Sequence, residues 1–315
     1  MSTNVLILET YADVYAGYLR EAFPDLELHP IKRLSDLRAD LADMDVLVAF
    51  GIAIDDDMIR RATRLKWIQS LATGVDHFLR CPSLRPEVYL TSARGIHGPA
   101  MRETVAYLML SLSHDTRRLV EQQRQHRWDR SRPWSLLCGK TAVIVGVGLS
   151  GTAIARLLKA FGMRVVGVSR TPREVEGFDR IVTPDRLPEV ASEADYLINI
   201  LPGDKHNLDL IGAKLFAAMK PTAFFVNVGR GETVDEQALI AALKEGRIAG
   251  AGLDVFRTEP LPAASPLWNM PNVFLTSHIG GLFSEYEEYV MPILGDNMRL
   301  FLDGHPEKMR NLVPH

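Results

Sequence analysis

The 315-residue sequence has only two cysteines, little net charge and no long apolar run. Cys81 and Cys138 stand far apart and make neither a metal-ligand pair nor a disulfide framework, which fits a reducing cytoplasm. A formal charge of -3 removes the standing attraction to nucleic acid or anionic lipid that a basic face would bring. Nowhere do about 18 uncharged apolar residues run together, so no membrane span is expected. The opening MSTNVLILET has a short apolar run that stops at Glu9, with no basic segment and no small-residue cleavage site, so no export signal is read. Fixed-period repeats and low-complexity stretches are also missing. The expectation is a cytoplasmic protein of small-molecule chemistry, with no metal centre and no nucleic-acid or membrane partner.

What is present is a chain that is 47% hydrophobic and long enough to bury two cores. Short apolar runs at residues 5–8, 46–50, 67–71 and 88–91 alternate with helix-like patterns, which predicts a parallel sheet with crossover helices. Asp55 is placed to cap a helix beginning at Asp56. Residues 99–125 carry Val105, Leu108, Met109, Leu112 and Leu119 at three- and four-residue spacing, which predicts one long helix. A second α/β series follows, with strands predicted at 141–145, 164–168, 196–200, 223–227 and 274–276, and a Pro-interrupted helical pattern over 291–302.

The segment TAVIVGVGLSGTAIARLL sets Gly146, Gly148 and Gly151 in GxGxxG spacing between a predicted strand and an amphipathic helix. Three glycines alone shape many loops. In this βαβ context they allow a tight turn, close approach of a pyrophosphate and close helix–strand packing, with the helix N-terminus facing the phosphates. Val147, Leu149 and Ser150 complete that loop. An NAD-preferring site places an acid about 20 residues further on, at the end of the next strand. This chain has Ser169, Arg170 and Thr171 there, two hydroxyls and a guanidinium in place of a carboxylate that would repel a 2′-phosphate. NADP is therefore favoured, with NAD possible if Arg170 only stacks on the adenine.

Three segments further on carry candidate chemistry: NVGRGETVDEQAL, AGLDVFRTEPLP and LTSHIGG. Reducing a 2-keto acid needs a cation for the carboxylate, a proton donor for the carbonyl oxygen and a group that keeps that donor protonated. Arg230, His278 and Glu259 fit those roles in that order. Arg230 lies between two glycines after an apolar strand, and His278 also follows a strand, so both are expected at a sheet edge where ligands bind. Taken singly, each has an ordinary structural alternative; the case depends on the set.

The motifs GVGLSG, NVGRG, AGLDVF, TEPLP and SHIGG resemble those of the D-isomer-specific 2-hydroxyacid dehydrogenase family, and the likeness covers nearly the whole chain. The resemblance implies that Arg230 orients the substrate, Glu259 is the carboxylate partner and His278 is the acid/base. It implies that Asp254 faces the nicotinamide carboxamide, with Leu201, Pro202, Val228 and His278 also beside the cofactor. The loop LATGVDHF resembles the family's substrate loop, whose N–H groups at Thr73, Gly74 and Val75 would hold the substrate carboxylate together with Arg230 and His278. Also implied are a Rossmann dinucleotide-binding domain at 98–284, a discontinuous flavodoxin-like substrate domain at 1–97 plus 285–315, a cleft between them, and a homodimer using the helix after Pro99.

The expected reaction is NADPH-linked reduction of a small 2-keto acid, glyoxylate or hydroxypyruvate, to a D-2-hydroxy acid. An NAD-linked 3-phosphoglycerate dehydrogenase-like enzyme and a dinucleotide-sensing corepressor-like protein are the rivals. A formate dehydrogenase is disfavoured because that branch has glutamine where this chain has Glu259. The loop LPGDKHNLDL departs from the threonine-bearing pattern common in the family, and its His206 is read as solvent-facing. His97 and His77 are read as structural.

Overall fold

A computed structural model describes residues 2–315, which divide into two compact units: Met1–Ile96 with Phe283–His315, and His97–Leu282.

In the first unit five strands, β1 (Asn4–Leu8), β2 (Glu27–Ile31), β3 (Val46–Ala49), β4 (Trp67–Ser70) and β5 (Tyr89–Thr91), form a wholly parallel sheet ordered β2-β1-β3-β4-β5. That is the flavodoxin-like order. β1, β3 and β4 lie in the interior of the sheet; β3 and β4 are buried along their whole length, as their continuous apolar runs require. Helix α1 (Ala12–Ala22) buries Tyr15 and Leu19 on one side of the sheet. Helix α2 (Asp56–Arg61) is capped as expected, the Asp55 carboxylate accepting from Met58 N at 2.9 Å. A short helix α3 (Asp76–Leu79) follows the 73–75 loop.

The expected single helix over 99–125 is two: α4 (Gly98–Ser113) and α5 (Thr116–Arg124). Asp115 breaks them apart. It takes a left-handed backbone, φ 51°, and its carboxylate accepts from Arg118 N to cap α5. Apolar spacing persists across such a joint, so periodicity alone runs the two together.

The second unit has seven parallel strands, β6 (Thr141–Val145), β7 (Arg164–Val168), β8 (Arg180–Val182), β9 (Tyr196–Asn199), β10 (Phe224–Asn227), β11 (Gly250–Leu253) and β12 (Val273–Leu275), ordered β12-β11-β10-β9-β6-β7-β8. Counted within the unit this is the doubly wound Rossmann order, with its switch point between β6 and β9. Helices α6 (Leu149–Ala160), α7 (Leu187–Glu193), α8 (Ala213–Ala218) and α9 (Glu236–Lys244) make the crossovers. Strands β2, β8 and β11 are additional to those expected. Finally α10 (Tyr286–Leu302) runs through Pro292 without a break and packs Val290, Leu294 and Met298 into the core of the first unit.

Candidate active site

The C-terminal ends of β9, β10, β11 and β12 deliver the candidate residues of the second unit. Asp254 follows β11 directly and is 2% exposed. One carboxylate oxygen accepts from Thr276 Oγ1 at 2.6 Å and from Ile279 N at 3.0 Å, and the other accepts from Gly280 N at 3.0 Å. Its carbonyl oxygen accepts from His278 N at 2.7 Å. Asp254 thus grips residues 276–280 from inside and holds His278 in a left-handed backbone, φ 54°. A glycine is required at 280: a Cβ there would stand 2.7 Å from the Asp254 carboxylate and 2.8 Å from Thr104 Cγ2. Thr104 Oγ1, from α4, donates to the Gly280 carbonyl at 3.0 Å.

On this loop the His278 ring is 46% exposed, and its Nδ1 lies 2.6 Å from Glu259 Oε2. The other Glu259 oxygen accepts from Phe256 N at 2.9 Å, which helps to hold the carboxylate in place. Burial alone would raise the Glu259 carboxyl, but the bonds from His278 and Phe256 and the positive charge of Arg230 outweigh it and hold it below the ordinary carboxylate value. An ionised Glu259 accepts a proton-bearing Nδ1, which leaves His278 Nε2 as the ring nitrogen available for proton transfer.

Arg230 follows β10 in the sequence Gly229-Arg230-Gly231, and both glycines are there for close backbone approach. A Cβ on Gly229 would lie 2.6 Å from the Leu201 carbonyl oxygen, beyond β9. A Cβ on Gly231 would lie 1.9 Å from the Phe256 carbonyl carbon, three residues before Glu259. Arg230 is therefore wedged between two neighbouring strand-end loops. Its Nη1 donates to Gly229 O at 2.9 Å. His97, at the start of α4, is pushed down to about 4 by burial and then by the Arg230 charge, so it is neutral in the folded protein. It packs where a Cβ on Gly281 would meet its ring at 3.1 Å.

The glycine-rich loop fits a dinucleotide. Gly146 has φ 120°, and a Cβ on Gly151 would lie 2.1 Å from the Gly146 carbonyl oxygen, so helix α6 starts directly against the turn. A Cβ on Gly148 would meet nothing within 4 Å, which leaves that side of the loop open to a ligand. No side-chain cap occupies the first turn of α6, so its N–H groups and positive dipole end suit a pyrophosphate. Val147 is buried, Ser150 half-buried and Leu149 exposed. At the end of β7, Ser169 Oγ accepts from Thr171 N at 3.3 Å, and Arg170 is exposed. Sequence reasoning missed Arg173, whose Nη2 donates to Val147 O at 2.8 Å and ties this turn to the glycine loop. Its signal was a second arginine in the same short basic turn. Leu201 is half-buried, Pro202 exposed, and Val228 buried with its N–H on Asn199 O.

Thr73, Gly74 and Val75 belong to the first unit. Ser70 Oγ donates to the Ala72 carbonyl at 3.2 Å, and Tyr286 OH donates to the Leu71 carbonyl at 2.5 Å, which steadies the strand end from which this loop departs. The Val75 carbonyl starts α3 by accepting from Phe78 N and Leu79 N. His77 is exposed and packs over Gly51. His206 is exposed. Among the described residues no group of three His, Cys, Asp or Glu side chains is arranged to hold a metal ion, and no helix is long and apolar enough to cross a membrane.

Comparison with known proteins gives a consistent picture. The family model for the D-isomer specific 2-hydroxyacid dehydrogenase NAD binding domain matches residues 106–280, and the one for that family's catalytic domain matches residues 5–78. A glyoxylate reductase of Thermococcus gammatolerans is 33% identical over 96% of this chain and 94% of its own. Among solved structures, a D-isomer specific 2-hydroxyacid dehydrogenase family protein of Aeromonas salmonicida aligns with a TM-score of 0.91 and 35% identity, covering 99% of both chains. The NADPH-dependent glyoxylate/hydroxypyruvate reductase of Sinorhizobium meliloti, solved with NADP and sulfate, aligns with a TM-score of 0.86 and 28% identity over 99% of this chain and 98% of its own.

Proposed function

This chain belongs to the D-isomer-specific 2-hydroxyacid dehydrogenase family and is an NAD(P)-dependent oxidoreductase, and we propose that it uses NADPH to reduce a small 2-keto acid of the glyoxylate or hydroxypyruvate class to the D-2-hydroxy acid. The observation that carries the reading is the 2.6 Å bond between His278 and Glu259, in the same unit as Arg230 and the glycine-rich loop. When bound, the reduced nicotinamide supplies a hydride to C2 of the substrate.

The chain's own residues do the rest. The Arg230 guanidinium pairs with the keto acid and polarises its carbonyl. His278 gives its Nε2 proton to the carbonyl oxygen, so that oxygen becomes the hydroxyl as C2 is reduced. Glu259 accepts from Nδ1 throughout, which orients the ring and keeps Nδ1 protonated after the transfer. In the oxidative direction, neutral His278 takes the hydroxyl proton. The backbone N–H groups of Thr73, Gly74 and Val75 are the proposed holders of the substrate carboxylate. Asp254 retains one lone-pair site beyond its three donors and is the proposed acceptor for the carboxamide.

The preference for NADP rests on Ser169, Arg170 and Thr171, with Arg173 fixed beside them. A neighbour solved with NADP supports the same reading, and the glyoxylate reductase relatives support the substrate class. The test is the absorbance of NADPH, then of NADH, against glyoxylate, hydroxypyruvate, pyruvate, phenylpyruvate and 3-phosphohydroxypyruvate. Rapid NADPH oxidation with the first two is expected. Turnover only with NADH and the phosphorylated acid would replace the reading with a phosphoglycerate dehydrogenase. Tight dinucleotide binding without any turnover would replace it with a sensor.

A further inference from the structure

Beneath Arg230 lie three polar side chains that the chemistry above does not use. Asn199 ends β9, Asn227 ends β10, and Thr233 follows the Gly229-Arg230-Gly231 turn; they are 0%, 2% and 0% exposed. Burying three hydrogen-bonding side chains together is unfavourable unless each is satisfied.

Each is satisfied, and in one direction. Leu201 N donates to Asn199 Oδ1 at 3.3 Å, which fixes the orientation of that amide. Asn199 Nδ2 then donates both its protons, to Asn227 Oδ1 at 2.9 Å and to Thr233 Oγ1 at 2.7 Å. Having accepted, the Thr233 hydroxyl donates its single proton to the Arg230 carbonyl at 2.7 Å. Asn227 accepts from Gly229 N at 3.2 Å and donates to the same Arg230 carbonyl at 3.3 Å. The chain of bonds starts at the cofactor-side turn after β9 and ends on the backbone of Arg230. Above it, the Gly229 and Leu201 backbones touch, as the 2.6 Å separation of a Gly229 Cβ from Leu201 O requires.

We infer that Asn199, Asn227 and Thr233 form a buried relay that sets the backbone of Arg230 against the cofactor-side turn, so that Thr233 is a positioning residue for recognition of the keto acid. The inference rests on the reading that Arg230 binds that acid. Two side-chain donors, Asn227 Nδ2 from the end of β10 and Thr233 Oγ1 from the following turn, meet on the Arg230 carbonyl, which also accepts from Thr233 N at 3.4 Å, and together they fix where its side chain begins. A shift there moves the guanidinium out of register with a substrate that must also meet His278, and small displacements of an orienting group weaken productive binding.

The experiment compares Thr233→Ser, which keeps the hydroxyl, with Thr233→Val, which keeps the shape and loses it. With NADPH saturating, Thr233→Val is expected to raise KM for glyoxylate and hydroxypyruvate about tenfold with a smaller change in kcat, while Thr233→Ser stays within about twofold of the parent. The NADPH dissociation constant, read by fluorescence, is expected to stay within about twofold in both. A folded Thr233→Val enzyme with a lower Tm and an unchanged KM would overturn the inference and leave a stability role only. An equal rise in KM in Thr233→Ser would overturn it too. Should Thr233→Val fail to fold, Thr233→Ala, which leaves room for a water molecule, is measured against Thr233→Ser on the same terms. Arg230→Ala in parallel separates the two levels: if it leaves KM unchanged, the role of Arg230 fails independently of the relay.

Discussion

The amide nitrogen of His278 lies 2.7 Å from the carbonyl oxygen of Asp254, while the Asp254 carboxylate binds the backbone on the far side of the same histidine. The ring is aimed by the loop that carries it and by its bond to Glu259, and nearly half of it is exposed. Asp254→Asn replaces one acceptor oxygen with an N–H donor facing other donors. It is expected to lower kcat by about 10- to 100-fold with far-UV circular dichroism unchanged, since a misdirected acid loses much of its contribution. A variant with parental kcat would show that the loop keeps its shape without the carboxylate.

Removal of the ring itself is the direct test of the acid/base assignment. His278→Ala is expected to reduce kcat by about 10²- to 10⁴-fold and to leave NADPH binding near that of the parent. Near-normal turnover would remove His278 from the mechanism.

Glu259→Gln keeps the size of the side chain and removes its charge. Turnover is expected to drop by about 10²-fold or more, because the amide no longer offers the ionised acceptor that fixes Nδ1 as a proton-bearing nitrogen and aims Nε2. Stability should change with pH as well. The folded Glu259 carboxyl is held below its unfolded value of about 4.3. Its stabilising contribution is therefore present above about pH 4.3 and lost as pH falls through the lowered folded value. Urea melts from pH 6 to pH 3 should show a shallower acid decline in Glu259→Gln than in the parent.

The coenzyme turn yields a comparison between two arginines. Arg170→Ala is expected to raise KM for NADPH by about tenfold or more and to leave that for NADH within about twofold, the loss of one charged contact to the 2′-phosphate. Arg173→Ala also releases the Val147 carbonyl, so a smaller loss with NADH is expected beside the larger one with NADPH. Equal losses for both coenzymes in Arg170→Ala would defeat the NADP assignment.

His97 should leave a mark on the acid stability of the parent protein. Its folded value, about 4, lies below the unfolded value of about 6.5, so the unfolded chain binds the extra proton first. Stability from this residue is complete above about pH 6.5 and falls by up to about 1.4 kcal/mol per pH unit until pH reaches about 4. His97→Gln should flatten the denaturation midpoint between pH 6.5 and 4.5; an unchanged slope would show that His97 is protonated in the folded state.

Much of this was legible beforehand because buried parallel strands announce themselves as apolar runs. Residues 46–50 and 141–145 are β3 and β6 with little change of bounds. The strands that escaped did so for physical reasons. β2 carries Pro30 and lies on a sheet edge, where a missing N–H is tolerated. β8 is a three-residue edge strand. β11 reads Gly-Ala-Gly-Leu because α4 lies almost on its backbone: a Cβ on Gly252 would stand 3.0 Å from Leu108 Cβ. A strand with glycine at two of its four positions has little hydrophobic pattern to read.

The candidate site divides in the same way. Arg230 and His278 stood out because each follows an apolar strand, and Glu259 because it completes the set that the reaction needs; the structure puts His278 and Glu259 in contact. The relay under Arg230 did not stand out, since an asparagine at the end of a strand reads as the start of a loop. Its meaning lies in which atoms face one another across β9 and β10, and sequence order does not carry that.

The 2.1 Å that separates a Gly151 Cβ from the Gly146 oxygen has a consequence for protein engineering. The proposed phosphate cradle is closed by main chain at Gly146 and Gly151 and admits no side chain at Gly151, whereas in the turn at 169–173 Ser169 is half-buried and Arg170, Thr171, Pro172 and Arg173 are exposed. On the proposed reading, coenzyme choice is a separable module: it is open to rewriting by exchange of residues in one turn, provided the Arg173 bond to the Val147 carbonyl is kept so that the cradle holds its shape.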